Sequence, residues 1–554
     1  MKKYVFALSL VFIGAFLLRI VGLSSYPVGF TQDEAGLGYD AYSLLLTGKD
    51  QWGKSWPLVF RSFGDFKMPL YSYLTIPAVF LLGLSEFSVR LPNAIMGSFA
   101  VVATYLLVSE MTKRKDFGLW SALFLAISPW HIGLSRGAFE ANLTTFFIPF
   151  GIWAFIKGIK NPKWTTLSAI SLGLNLFSYH SARIITPALV IILVVSYWDK
   201  LRTNLFNRYK ASTLVFGLFL LAATVTMFTG GAKRGLDITI LNPTDKWAAV
   251  AMKRYESIMG GAPEPVARMF SNKVLYVFTT FSKNYLSYFS TSFLFSEGAA
   301  EANYGLLPGR GVLYQVEIIF IIVAFISFCR KNGFKLMGLI LLWLVIAPIP
   351  AALTKGPGYA ANRAIVMLPA LQILSAWGLV YLLDLFKKKY SNKISFVFTG
   401  IVVIILGLSL AGFLDDYRNF LPQKSSNAMQ YGMRELVSTI SKIEDNYEQI
   451  VLSRTLSVPN IWVQFYEMVD PKLVQKSSRS WLRYESQGVK YLDQIREYSL
   501  GKYSFGDIII DDLKGQNILA VGRVWEFPEN VRTLATIKYL DGEPAFILVD
   551  ANEL

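Results

Sequence analysis

Apolar positions run in uncharged blocks of roughly 17 to 22 residues, the length that crosses a bilayer's hydrocarbon core, and short basic segments separate them. The first block, Tyr4 to Val21, follows Lys2 and Lys3. Arg19 sits near its end and no small-residue cleavage site follows, so it reads as an anchor helix. Further blocks run Leu91 to Met111, Phe117 to Leu134, Leu143 to Lys157, Trp164 to Tyr179, Ile184 to Trp198 and Ser212 to Phe228. Four more are Val312 to Phe328, Leu336 to Leu353, Ala364 to Phe386 and Ile394 to Leu414. The pattern predicts about eleven transmembrane helices. Pro69 to Leu84 is ambiguous by length, and charge parity decides its role. If it does not cross, the segments holding Lys2/Lys3, Lys113 to Lys115, Lys157 to Lys163, Lys200 to Lys210, Arg330 to Lys335 and Lys387 to Lys393 all face inward, and all are basic. If it crossed, every later loop would change sides, so it is expected to be a juxtamembrane helix.

This topology places long loops at 22–90 and 229–311 on the outside, with short ones around Arg136 to Asn142, His180 to Arg183 and Thr354 to Arg363. Loop mass on one face marks that face as the working one. The composition changes at Asp415/Asp416, which divides the chain into a membrane part, 1–414, and an outer C-terminal α/β domain, 415–554. In that tail, Leu534 to Leu540, Asp541-Gly542 and Ala545 to Val549 predict a hairpin closed by an Asp-Gly type I′ turn.

Composition agrees with this reading. Of 554 residues, 53% are hydrophobic, 15% aromatic and 17% charged, and the mean hydropathy is +0.41, which argues against a water-soluble enzyme. The net charge is +16, from 54 basic and 38 acidic residues. The basic residues cluster between apolar blocks, which indicates membrane lipids as partners and no nucleic acid. A single cysteine, Cys329, allows no intrachain disulfide and no cysteine-based zinc site.

Candidate chemistry lies in the outer loops. Asp33 and Glu34 head a helix expected to reach Thr47. Adjacent acids there are accounted for by the helix N-terminus, or by a catalytic base at the membrane surface. In Gly64-Asp65-Phe66-Lys67-Met68-Pro69-Leu70-Tyr71, a lysine immediately before a helix start suits a lipid-borne phosphate, and it equally suits snorkelling to ordinary headgroups. Arg90, in Ser88-Val89-Arg90-Leu91-Pro92, reads as an outer-edge anchor. Arg136 and Glu140 have the spacing of a helix-face ion pair, or of a polar cleft beside the first loop's acids. His131 and His180 read as structural, with Arg183 beside the latter. Asp33, Glu34, Asp65 and Glu140 are oxygen donors, which leaves a divalent metal open without requiring one.

Taken in order and with their topological placement, these motifs resemble the GT-C fold glycosyltransferases that use polyprenyl-phosphate sugars, especially family 39, which includes protein O-mannosyltransferases and lipid A aminoarabinose transferases. The carriers are Asp33-Glu34, Lys67-Met68-Pro69-Leu70, Ser88 to Pro92, the Arg136 to Glu140 loop, and Asn362-Arg363 before Met367-Leu368-Pro369-Ala370. Lys67-Met68-Pro69 replaces the family's usual Lys-Pro-Pro, and Glu140 stands where relatives often carry Asp. The resemblance implies Asp33 as general base, supported by Glu34 and Glu140. It implies Lys67 and Arg363 on the donor phosphate, assisted by Arg310 in Leu306-Leu307-Pro308-Gly309-Arg310. Arg136, Asp65, Tyr71 and Arg183 are expected in the cleft or at the acceptor. The implied partners are a polyprenyl-phosphate-linked sugar and an acceptor glycan, lipid or protein, at the outer face of the plasma (inner) membrane. The rival is a transporter or flippase of a lipid-linked saccharide, which predicts charges inside spans; Glu317 is the clearest such residue. A noncatalytic envelope scaffold is the third reading.

Overall fold

The computed structural model describes residues 2–64, 66–202, 208–228, 239–330, 334–356, 360–483, 489 and 492–554. Asp65, one of the expected cleft residues, lies outside them. The first helix, α1 (Lys2–Ile20), is followed by α2 (Gln32–Thr47), a two-residue ribbon of β1 (Phe60–Arg61) and β2 (Phe66–Lys67), and α3 (Pro69–Leu82). Then come α4 (Glu86–Thr112), α5 (Lys115–Ile127), α6 (Pro129–Ser135), α7 (Thr144–Gly158), α8 (Pro162–Asn175), α9 (Ala182–Ser196) and α10 (Lys210–Thr226). An amphipathic group, α11 (Pro243–Met259), α12 (Glu264–Phe270) and α13 (Lys273–Ser287), precedes α14 (Glu317–Arg330), α15 (Phe334–Ile346), α16 (Ala370–Lys389) and α17 (Asn392–Asn419).

Helices coincide with the apolar blocks, but among the described residues only α1, α4, α16 and α17 are individually long and apolar enough to cross a bilayer. The bent pair α5–α6, turned by 59°, makes a fifth. The shortening has local causes. Pro129 starts a new helix and bends the chain, and Leu336 to Leu353 breaks before Ile349–Ala352. In Ala364 to Phe386, the regular helix begins only after Pro369. Pro69 to Leu84 forms the 14-residue α3, which begins with Pro69 in its first turn.

The core is built where α4 packs on α1, α5 and α7, α8 on α7 and α10, and α16 on α14 and α5. Glu317 caps the start of α14: its carboxylate accepts from the Tyr314 amide (3.0 Å) and the Ser375 hydroxyl (2.8 Å). Both oxygens are engaged in joining helices, which gives this intramembrane acid a structural role.

Beyond α17 lie α18 (Met433–Ile443), β3 (Gln449–Ser453), α19 (Pro459–Tyr466), α20 (Pro471–Trp481) and strands β4 (Glu497–Leu500), β5 (Tyr503–Gly506), β6 (Ile518–Gly522), β7 (Thr533–Lys538) and β8 (Pro544–Asp550). They form one six-stranded sheet in the order β4-β5-β3-β6-β8-β7, with β3 parallel to β5 and β6 and the other pairs antiparallel. In the β7–β8 hairpin, Ile537 faces Phe546. Its turn is wider than the two-residue one expected: the Gly542 amide bonds the Tyr539 carbonyl (3.0 Å), and Gly542 takes the left-handed conformation (φ 91°).

This domain docks on the first loop. The Tyr39 hydroxyl donates to the Val469 carbonyl (2.7 Å), and Gln475 bridges Ser43, Thr47 and the Asp50 carbonyl at 2.9 to 3.1 Å. Trp52 meets Trp481 edge-on at 6.1 Å. Gly38 permits the close approach: a Cβ there would stand 2.4 Å from Val89 and 3.0 Å from Phe465.

Candidate active site

Asp33 and Glu34 occupy the first turn of α2, and one residue's rotation sends them in opposite directions. Glu34 turns inward and completes a capping box: its amide bonds the Thr31 hydroxyl (3.3 Å), while its carboxylate accepts from the Thr31 amide (3.1 Å). Both carboxylate oxygens also meet Arg90, at 2.9 and 3.2 Å, and one accepts from the Ala138 amide (2.9 Å). Arg90 places its remaining N–H groups on the carbonyls of Leu23, Pro27 and Gly29 at 2.6 to 3.2 Å. All five guanidinium donors are therefore satisfied in a fully buried pair. Glu34, expected as a supporting catalytic carboxylate, is thus fully engaged in holding α2 against the Arg90 guanidinium. Arg90, expected at the membrane's outer edge, is an interior residue.

Asp33 turns outward to the Lys67 ammonium at 2.8 Å; the lysine side chain is 10% exposed and the aspartate 48%. Residues far apart in sequence place the lysine. His180 Nε2 donates to the Phe66 carbonyl (2.9 Å), and the Leu70 amide bonds the Phe177 carbonyl (3.1 Å), fixing β2 and the start of α3. Burial, with Arg183 and Lys67 nearby, lowers His180 to about 4, so the ring is neutral at physiological pH.

Glu140 faces the same pair. Burial raises its pKa, the Asp33 charge raises it further, and Lys67 opposes the change. Burial would lower the Lys67 ammonium, but the charges of Asp33 and Glu140 and the hydrogen bond to Asp33 outweigh it, so its pKa lies above the ordinary lysine value. The lysine stays charged. Glu140 also sets a stability dependence. A carboxyl raised in the folded state contributes stability that is full below the unfolded value, near 4.3, and is lost as pH rises through the folded value. Glu140→Gln should therefore flatten the fall in melting temperature as pH rises above about 4. Thermal melts of the detergent-solubilised protein across that range check it; parallel curves for the two proteins would contradict it.

Around this centre the expected Arg363 is joined by Tyr179, Glu301 and Tyr304, which the motifs did not single out. Burial raises the Tyr304 phenol, Glu301, Asp33 and Glu140 add to the shift, and Arg363 opposes it. Burial and the neighbouring Tyr304, Glu140 and Glu301 do the same to Tyr179. These mutual effects place Tyr179, Glu301, Tyr304 and Arg363 around the Asp33–Lys67–Glu140 centre. Arg363 donates to the Thr354 hydroxyl (2.7 Å) and the Lys355 carbonyl (2.8 Å) and approaches Glu301 at 3.9 Å. Oε2 of Glu301 is buried without a hydrogen-bond partner. No sequence signal marked Glu301: it lies in an irregular stretch that only the fold brings to Arg363.

Three residues expected in the cleft, and one expected at the donor phosphate, make other contacts. Arg136 does not pair with Glu140; it caps α1 by donating to the carbonyls of Leu18 (2.7 Å), Val21 (2.8 Å) and Gly22 (3.0 Å). The intervening chain leaves the helix after Ser135, so the i, i+4 geometry never forms. The Tyr71 hydroxyl is spent on the Val89 carbonyl (2.9 Å) inside the core. Arg183 ties α9 to α10 through Thr226 (2.7 Å). Arg310 pairs with Asp416 of α17 in a separate cavity of about 550 Å3, which removes it from the phosphate site. Among the described residues, no three His, Cys, Asp or Glu side chains gather as a metal would need; the positive charge between Asp33 and Glu140 is the Lys67 ammonium.

An apolar cavity of about 540 Å3 is lined by Leu58, Pro69, Leu70, Leu174, Phe177 and Phe219 among others. Pro69 and Leu70 begin α3, whose start Lys67 precedes by two residues, so the groove begins at the helix start next to the cation in the chain.

The fold is similar to the GT-C fold. Residues 67–228 match the family described as dolichyl-phosphate-mannose-protein mannosyltransferase. The structure is similar to that of ArnT from Cupriavidus metallidurans bound to undecaprenyl phosphate, at 11% identity over 98% of each chain and a TM-score of 0.54. It is also similar to the archaeal oligosaccharyltransferase AglB from Archaeoglobus fulgidus, in complex with an inhibitory peptide and a dolichol-phosphate, at 14% identity and a TM-score of 0.50. That match covers 85% of this chain and 64% of AglB, so the chain spans less than two thirds of the archaeal protein. A curated relative, an uncharacterized protein of Aquifex aeolicus (strain VF5), is 30% identical over 111 residues, which are 19% of this chain and 22% of that one. The resemblance read from the loop motifs thus extends to the fold along the whole chain.

Proposed function

We propose that the protein transfers a sugar from a polyprenyl-phosphate donor to an acceptor hydroxyl at the outer face of the membrane, with inversion. The observation that carries this reading is the outward-facing Asp33–Lys67 pair at 2.8 Å, beside Glu140 and at the head of an apolar groove. The isoprenoid chain lies in that groove and its phosphate takes the Lys67 ammonium, with Arg363 as second cation. Lys67 then exchanges Asp33 for the phosphate, which frees the carboxylate. The acceptor hydroxyl attacks the anomeric carbon opposite the phosphate, and its proton passes to Asp33. The anomeric C–O bond to phosphate breaks, and the polyprenyl phosphate departs with the electron pair, its charge stabilised by Lys67 and Arg363. Phosphate is already a competent leaving group, so one carboxylate suffices. Glu34 holds α2 in place through Arg90, and Glu140 keeps Lys67 charged.

Purified protein in lipid, incubated with a panel of radiolabelled polyprenyl-phosphate sugars, tests the reading: one donor should be consumed and an acceptor labelled, while no turnover of any donor would refute it. Lys67→Met should raise the donor KM about ten- to a hundredfold, the loss of one charge-assisted contact, with a smaller effect on the acceptor KM. Sidedness is checked in a Cys329→Ser background with a single cysteine at the exposed Trp56, which should react with an impermeant maleimide from outside intact cells.

A further inference from the structure

A second apolar cavity is larger than the one lined by Pro69 and Leu70. About 930 Å3 of space lies between α1, the α5–α6 bend and α17, lined by Leu10, Gly14, Leu18, Ile127, Leu410 and Leu414 among others. It opens sideways: only 11% of the apolar stretch of α1, and likewise of α17, is buried. Gly14 has nothing within 4 Å of where a Cβ would stand, so the groove reaches the α1 backbone.

Its end near the helix C-termini is polar. Tyr417 is buried in an otherwise apolar groove, and its hydroxyl, beside the donor-only Arg136 guanidinium, finds no hydrogen-bond acceptor among the described residues. The Arg136 guanidinium lies 5.8 Å from the Tyr417 ring centroid and spends its donors on the α1 carbonyls. Arg418, exposed at the same mouth, has no ion pair or hydrogen bond among the described residues. The neighbouring acids are neutralised or engaged: Asp416 pairs with Arg310, and Asp415 accepts from Asn419 (2.7 Å). A buried donor without an acceptor, an unpaired arginine and a lateral apolar groove match one ligand chemistry, a phosphodiester carrying acyl chains.

We infer that this groove holds an anionic phospholipid, with an acyl chain along Gly14 and its phosphodiester accepting from the Tyr417 hydroxyl and Arg418. The site is separate from the donor centre. Glu34 and Arg90 lie toward Tyr417, whereas Asp33 turns out to Lys67, and the groove beside Lys67 belongs to α3, α8 and α10. The lipid is therefore a fastener between α1 and α17, and it takes no part in sugar transfer.

Native mass spectrometry of the full-length detergent-solubilised protein tests this, with dioleoyl phosphatidylglycerol and dioleoyl phosphatidylcholine as probes. Phosphatidylglycerol should be retained at one molecule per chain, with about tenfold preference over phosphatidylcholine. Arg418→Gln should remove most of that preference. Gly14→Trp should reduce retention of both lipids, while Ala222→Trp, in the other groove, should leave phosphatidylglycerol retention unchanged. If Gly14→Trp does not fold, Leu10→Trp blocks the same groove. Equal retention of the two lipids, unchanged retention after blocking the groove, or displacement of phosphatidylglycerol by polyprenyl phosphate would overturn the inference. These readouts require no turnover, so they stand apart from the outcome of the donor panel.

Discussion

Asp33→Asn should lower the rate of sugar transfer about 10²- to 10⁴-fold, the usual contribution of a positioned general base, while leaving the protein folded. The amide retains shape and polarity but cannot take the acceptor's proton. The side chain is about half exposed, and although the buried Lys67 ammonium loses one countercharge, the amide oxygen can still accept from it and Glu140 remains beside it. Donor binding should persist, because the Lys67 ammonium that holds the phosphate is untouched. Single-turnover transfer from the active radiolabelled donor, measured beside a thermal melt, checks both halves. Wild-type transfer by the variant would remove Asp33 from the mechanism. Equal loss of activity and melting temperature would make it a structural residue. The transporter and scaffold readings predict no chemical defect at all.

Arg90→Ala should cost about 3–5 kcal/mol of stability, because it leaves the buried Glu34 carboxylate with amide donors but no countercharge and takes the guanidinium donors from three backbone carbonyls. Glu34→Gln, next to Asp33 in the chain, should behave like Arg90→Ala and unlike Asp33→Asn, since it strands a buried guanidinium. Arg90→Lys should fall in between: the charge is kept, but a single ammonium cannot reach five acceptors in fork geometry. Melting temperatures and the yield of folded protein in the membrane fraction distinguish these cases. A Glu34→Gln protein as stable as the wild type would show that the pair does not hold α2.

The neighbouring acids show how much of the site was legible. Their pairing at a helix start was visible, and so was Lys67 before Pro69, because both are local features of composition and order. That one acid would face out and the other in was not visible: it depends on which side of α2 meets α4, which Gly38, Val89 and Phe465 decide across three distant segments. The Arg136–Glu140 spacing misled for a related reason. It implies a helix face only if the helix continues, and here it stops at Ser135. Glu301 and Tyr304 carry no periodic or motif signal and reach the cleft only through the packing around Arg363.

By itself, the order of residues determined the apolar helices and offered Asp33, Lys67, Glu140 and Arg363 as candidates, whereas the expected boundary at Asp415 falls inside α17, which runs on to Asn419. Hydrophobic period, run length and charge parity are short-range quantities, and they survive without knowledge of the fold. Only the tertiary structure decided which charges are consumed inside and which remain for chemistry. A buried ion is tolerated only where its partners converge, and that convergence is a property of the packed chain: Arg90, Arg136, Arg183 and Arg310 are each satisfied by groups distant in sequence, whereas Asp33 and Lys67 meet at an open cleft.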